Sequence, residues 1–224
     1  MKNKEINMNK PKLALLPFLF ISGLIVPVEE AFSNEFSANV GATSNYLWRD
    51  LEQTAGDAAL YGGFDYSLDS GFYIGTWLSN ASWSEGMTYE VDIYGGYSTK
   101  INKVTYGVGF IHYAYPDSIE NVSFTEVNMT AEYQGFTLNY SVLANAEGAS
   151  FGDDTYVNLS KTFEIASGYE GSIHIGMGTD NFYAGESFVG YGATISKKGF
   201  NFGISKNNLD NSDTKLFVSY THAL

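Results

Sequence analysis

The chain has 224 residues, with 12 Lys and Arg against 25 Asp and Glu, a formal net charge of −13, and no cysteine. This balance excludes nucleic acid as a partner, since phosphate contacts need Lys and Arg, and it excludes disulfide stapling or thiolate chemistry. The 17 Tyr, 16 Phe and 24 Gly against only 4 Pro suit strands whose two faces meet different surroundings, with glycines relieving crowding.

Residues 1–33 read as a secretory signal peptide: Lys2, Lys4, Lys10 and Lys12 form a basic start, LALLPFLFISGLIV at 13–26 is a short apolar core, and Ala31-Phe32-Ser33 offers a cleavage site. The core is too short for a membrane-spanning helix, and no apolar run in 34–224 approaches the ~18 residues such a helix needs. Residues 34–224 instead alternate with period two. They predict twelve strands at 36–48, 58–68, 72–80, 88–98, 104–114, 124–133, 136–144, 155–163, 172–178, 188–196, 200–206 and 215–224. The fold class expected is all-β, an antiparallel up-and-down transmembrane barrel in the bacterial outer membrane.

Each strand has one apolar face and one small or polar face. In 104–114, Val104, Tyr106, Val108 and Phe110 oppose Thr105, Gly107, Gly109, Ile111 and Tyr113; in 136–144, Phe136, Leu138, Tyr140 and Val142 oppose Thr137, Asn139 and Ser141. Five acids lie inside strands, Asp65, Glu90, Asp92, Glu126 and Glu132, and all fall on the polar face. On a lipid face a charge is unfavourable, by ~2–4 kcal/mol for a base at the midplane and less for an acid. Lys161 and Lys206 fall on apolar faces, but near strand ends, where long side chains reach the interface.

Connections alternate between tight (69–71, 99–103, 134–135, 197–199) and longer (49–57, 81–87, 115–123, 145–154, 179–187, 207–214), as inner turns and outer loops do. The connection 164–171 breaks this rule by being long where a short one is due. The longer loops hold most of the acids outside the strands, among them Asp50, Glu52, Asp57, Asp117 and Asp154, with Arg49 as their one base. An acidic rim of this kind would meet lipopolysaccharide phosphates through divalent cations. The last strand places Leu216, Val218, Tyr220, His222 and Leu224 on one face, the alternating end of an outer-membrane barrel.

Several stretches resemble a family of outer-membrane proteins assigned as porins under the name TorF, formerly a conserved bacterial family of unknown function. They are NVGATSNYLWRDLEQT at 39–54, GGFDYSLDSGFYIGTWLSN at 62–80, YEVDIYGGYS at 89–98, and YAYPDS at 113–118 followed by FTEVNMTAEY at 124–133. The family pattern has Gly after the Arg of the first stretch, where this chain has Asp50. The resemblance implies a barrel assigned as a porin and brings no catalytic residues.

The residues expected to line a pore are Asp65, Glu90, Asp92, Glu126, Glu132, Tyr73, Trp77, Tyr94 and Tyr156, the carboxylates favouring cations and the aromatics narrowing the bore. Trp48, Trp77 and Trp83 lie near loop-side strand ends, as in an aromatic girdle. Glu90 and Asp92, same-face neighbours, form a lumen pattern rather than a glycosidase pair. His112 and His222 fall on apolar faces, and His174 faces inward with Ser172. No serine stands with a histidine at a lipid boundary as a membrane hydrolase would need, no metal spacing is present, and no cofactor is implied. Twelve strands lie between barrels filled by side chains and barrels with an aqueous channel. The function expected is therefore a passive channel for small hydrophilic solutes with a cation preference. A closed structural or adhesive barrel and a lipid hydrolase stand as alternatives.

Overall fold

The structure is a computed structural model and describes residues 34–179 and 184–224; the segment 1–33 expected to be a signal peptide lies outside the described residues. The chain forms β1 (Glu35–Thr43), β2 (Leu47–Trp48), β3 (Leu51–Glu52), β4 (Ala59–Ser67), β5 (Phe72–Asn80), β6 (Tyr89–Ile101) and β7 (Val104–Ala114). There follow β8 (Phe124–Tyr133), β9 (Phe136–Ala146), β10 (Thr155–Ala166), β11 (Tyr169–Gly178), β12 (Phe188–Lys197), β13 (Phe200–Asn207) and β14 (Lys215–Ala223). Twelve of them close into one antiparallel barrel in which each strand pairs with its sequence neighbours and β1 pairs with both β4 and β14; β2 and β3 form a separate hairpin. Closure leaves no strand edge without a backbone partner, which is what a sheet needs in a solvent that cannot hydrogen-bond.

The period-two pattern sorts the side chains as expected. Tyr106, Val108 and Phe110 stand exposed on the outside of β7, while Ile111 and Tyr113 are buried inside. On β9, Phe136 and Leu138 face out and Asn139 and Ser141 face in. Tight turns gather at one end. Gln134-Gly135 and Lys198-Gly199 are two-residue turns with both residues at positive φ, the form whose twist matches the flanking strands. At this end aromatic pairs stand on the outer wall, Phe72 against Tyr97 at 5.0 Å and Phe200 against Tyr220 at 4.6 Å. Lys161, on the apolar face, bends to this end, where its ammonium lies 4.3 Å from the Phe136 ring centre and donates to the Gln134 carbonyl.

Two connections differ from expectation. The link expected to be long at 164–171 is a two-residue turn, because β10 runs on to Ala166 and β11 begins at Tyr169. The register slips by one residue between Glu164 and Ala166, and Glu164 sits directly opposite Glu170. A bulge breaks the alternation and facing like charges read as loop. The first strand, expected to reach 48, stops at Thr43, whose hydroxyl donates to the Asn45 carbonyl at 2.8 Å and turns the chain. The next residues leave the wall and enter the barrel.

Candidate functional site

The inward segment is a hairpin in which Leu47 pairs with Glu52 and Trp48 with Leu51. Its tip is Arg49-Asp50, at φ 52° and 66°. Both residues of a two-residue turn of this hand need positive φ; Asp accepts it readily, and Arg does so at a cost of about 1 kcal/mol or more. Surrounding contacts hold the tip there. Arg49 and Asp50 are only 1% and 2% exposed. This corrects the placement of both residues in an outer loop.

The Arg49 guanidinium lies 4.2 Å from the ring centres of both Trp48 and Tyr156, and its Nη2 donates to Glu126 Oε2 at 2.6 Å. Trp48 Nε1 donates to Tyr113 Oη at 3.4 Å, and Tyr46 Oη donates to Glu90 Oε2 at 3.1 Å. Asp50 reaches the other way. Its carboxylate lies 3.0 and 3.1 Å from His174 Nε2 and accepts from Ser205 Oγ at 2.5 Å, while its carbonyl accepts from Asn207 Nδ2 at 2.8 Å. One hairpin therefore spans from β8 to β11 and β13 across the interior. At its foot, Glu52 accepts from Asn45 Nδ2 at 2.7 Å and pairs with Lys215 at 3.0 Å. Partial burial pushes the Glu52 carboxyl up, but the Asn45 hydrogen bond and the Lys215 ammonium bring it below the ordinary glutamate value.

The wall is shaped to receive this hairpin. A Cβ on Gly190 would lie 2.2 Å from Asp50 Oδ2, and one on Gly176 would lie 2.0 Å from the Tyr156 hydroxyl. Around Tyr46 and Trp48 the interior is a packed aromatic cluster that includes Trp77, Tyr94, Tyr113 and Phe124. Tyr46 meets Trp77 edge-on at 5.3 Å and Trp48 meets Tyr113 edge-on at 5.7 Å.

The nine residues expected to line a pore share the inner face but not one level. Glu90, Asp92 and Glu126 are near the loop ends of their strands and are buried against the hairpin and its aromatic cluster, together with Trp77, Tyr94 and Tyr156. Asp65 and Glu132 lie toward the turn ends of β4 and β8 and are only partly buried, as is Tyr73. Asp65 accepts from Tyr94 Oη at 2.5 Å. Trp48 and Trp77 are buried inside the barrel and do not belong to an outer girdle; Trp83 alone of the three is exposed, edge-on to Tyr115 at 5.1 Å.

Other expected groups also find partners. Asp154 is buried, so it leaves the acidic rim with Asp50. Asp117 accepts from the side chain and backbone N–H of Thr88, which holds its carboxyl below the ordinary aspartate value. Among the described residues no three His, Asp or Glu side chains converge as a metal site. His112 Nδ1 lies 2.9 Å from Thr125 Oγ1, and among the described residues Ser172 Oγ, on the same face as His174, has no hydrogen-bond partner, so Ser172 and His174 do not form a serine–histidine pair. The contacts of the Arg49-Asp50 tip are not legible in the sequence because the hydrogen-bond partners lie 77 to 157 positions apart. The one local signal was Arg49, the chain's single arginine, amid apolar residues at 46–51.

Solved structures share this fold. The KdgM porin matches with a TM-score of 0.55 at 8% identity, covering 84% of this chain and 98% of that one. The KdgM porin in complex with disordered oligogalacturonate matches with a TM-score of 0.53 at 8% identity, covering 83% and 98%. A chain from a study of the in-meso crystallization of membrane proteins matches with a TM-score of 0.56 at 6% identity, covering 85% and 83%. No curated protein matches the sequence. A family model described as a bacterial protein of unknown function, Gcw_chp, matches residues 28–222, and the chain belongs to that family.

Proposed function

We propose that the protein is an outer-membrane porin, a passive channel for small hydrophilic solutes with a preference for cations. The observation that carries this reading is the division of faces around a closed barrel. Phe64, Val108, Leu138, Ile173 and Phe202 stand exposed outside, while the carboxylates and the amide- and hydroxyl-bearing Asn139, Ser141, Asn158 and Ser205 turn inward. An apolar outside with a polar inside reverses the order of a water-soluble domain and suits lipid around a wet lumen. Among the described residues, Glu90 Oε1, Asp92 Oδ1 and Trp77 Nε1 have no hydrogen-bond partner, and buried groups of this kind call for bound water. The KdgM fold and the resemblance to TorF-family porins support the same reading, and the partners it implies are membrane lipid, lipopolysaccharide with divalent cations at the exposed loop acids, and the solutes themselves.

A polyanion such as the oligogalacturonate bound by KdgM does not suit this interior, where carboxylates outnumber the single arginine. Small neutral or cationic solutes do. Selection falls to Asp65 and Glu132, the carboxylates not covered by the hairpin. The refolded barrel in a planar bilayer under a potassium chloride gradient should show a cation-selective reversal potential that moves toward zero in Asp65→Asn/Glu132→Gln. An unchanged potential would remove the selectivity assignment, and a barrel that never conducts would remove the channel. The inward hairpin favours a second reading, a closed structural barrel, which predicts no conductance even when the hairpin is freed.

A further inference from the structure

We propose that the Arg49-Asp50 tip is a latch holding the hairpin as an autoinhibitory plug, so that freeing it converts a narrow channel into a wide one. The proposal rests on the channel reading above. Three observations carry it.

The hairpin pairs with no barrel strand along its length. Its backbone meets the wall at the foot, where Ser44 N–H donates to the Val218 carbonyl at 2.9 Å and Ser82 N–H donates to the Gln53 carbonyl at 2.7 Å. Beyond that, it is attached through side chains. The barrel's own ladder runs continuously behind it and needs no hairpin to close.

The tip is held at both sides of the lumen: Arg49 pairs with Glu126 on β8, the Asp50 carboxylate meets His174 on β11 and Ser205 on β13, and the Asp50 backbone carbonyl accepts from Asn207 on β13. Two consecutive non-glycine residues at positive φ persist because these contacts over-determine them. With the contacts gone, the same backbone loses its reason to stay.

The wall carries a seat for the tip. Gly190 on β12 leaves room for the Asp50 carboxylate, which any side chain there would strike. Glycine at position 50 would fit the turn but make none of the carboxylate contacts. Asp50 is thus the residue that converts a turn into a latch.

The test is Asp50→Gly. Glycine suits φ 66°, so the turn survives while the carboxylate contacts to His174 and Ser205 go, and the Arg49 stack is left in place. Refolding is checked by heat-modifiable gel migration. Single-channel recording should show a severalfold rise in unit conductance, or a wide state absent from the parent. Because the chain has no cysteine, Asp50→Cys/Ser205→Cys supplies a comparison within one folded sample. Reduced, it should conduct like Asp50→Gly; joined by a short bifunctional thiol reagent, it should return to the parent level. A deletion of residues 45–53 sets the upper limit. Equal conductance in the parent, Asp50→Gly and the deletion would overturn the latch and leave the channel standing. No conductance from any of them, the deletion included, would overturn the channel reading and the latch with it.

Discussion

Asp50 and Arg49 place buried charges at the tip of a hairpin whose Tyr46 and Trp48 also pack into the aromatic cluster. The Arg49–Glu126 pair is enclosed, so removing either partner alone should lower stability by about 3–5 kcal/mol, read as a lowered thermal midpoint. Gly190 provides an independent probe of the same contact. Gly190→Ala drives a methyl into the Asp50 carboxylate and should either displace the tip or strain the wall by about 1–3 kcal/mol. A lowered thermal midpoint, a raised conductance, or both, are expected; a variant identical to the parent in both would show that the seat is not filled. At the hairpin foot, Glu52 has a lowered folded-state value. Its contribution to stability is therefore fully present above the unfolded glutamate value and is lost as pH falls through the folded one. Glu52→Gln should flatten the pH dependence of the thermal midpoint over that interval, and a variant keeping the parent's slope would contradict the Lys215 and Asn45 contacts. The inward phase of Glu90, Asp92 and Glu126 was legible from alternation, because a strand's parity survives along its length. Their partners were not, since no local pattern connects Arg49 to Glu126 or Asp50 to His174.

At the scale of elements, alternation located all twelve barrel strands and failed where the backbone departs from period two. Trp48 continues the parity of Val40 and Ala42, which fits the aromatic girdle expected for it at the end of one long strand. The bend after Thr43 turns that same parity inward, and aromatic rings that suit lipid suit a packed interior equally well. The turn between β10 and β11 was hidden by the slip at Ile165 and by the facing glutamates. A similar slip ended the reading of β9 early: Ala144 is the extra residue opposite the Thr125–Glu126 step, and the strand runs on to Ala146. Bulges re-aim side chains without ending a strand, and here Leu143 and Phe124 both remain inside the aromatic cluster.

Across the whole molecule, the interior is layered along the barrel axis. The loop-end half is filled by the hairpin, its aromatic cluster and the Glu90, Asp92 and Glu126 carboxylates; the turn-end half holds Asp65 and Glu132 on a less crowded wall. In the proposed channel, ion selection would fall to the turn-end half and occlusion to the loop-end half, and both require lipid outside and water within. Nitroxide labels placed singly from 105 to 113 along β7, in a chain free of native cysteine, report this directly through collision with oxygen, which concentrates in lipid, and with a water-soluble paramagnetic nickel complex. In reconstituted vesicles, positions 106, 108 and 110 should favour oxygen and positions 105, 107 and 109 should not, giving a two-residue oscillation along the strand. Equal and high access of the nickel complex to both sets would place water on both faces and contradict the account.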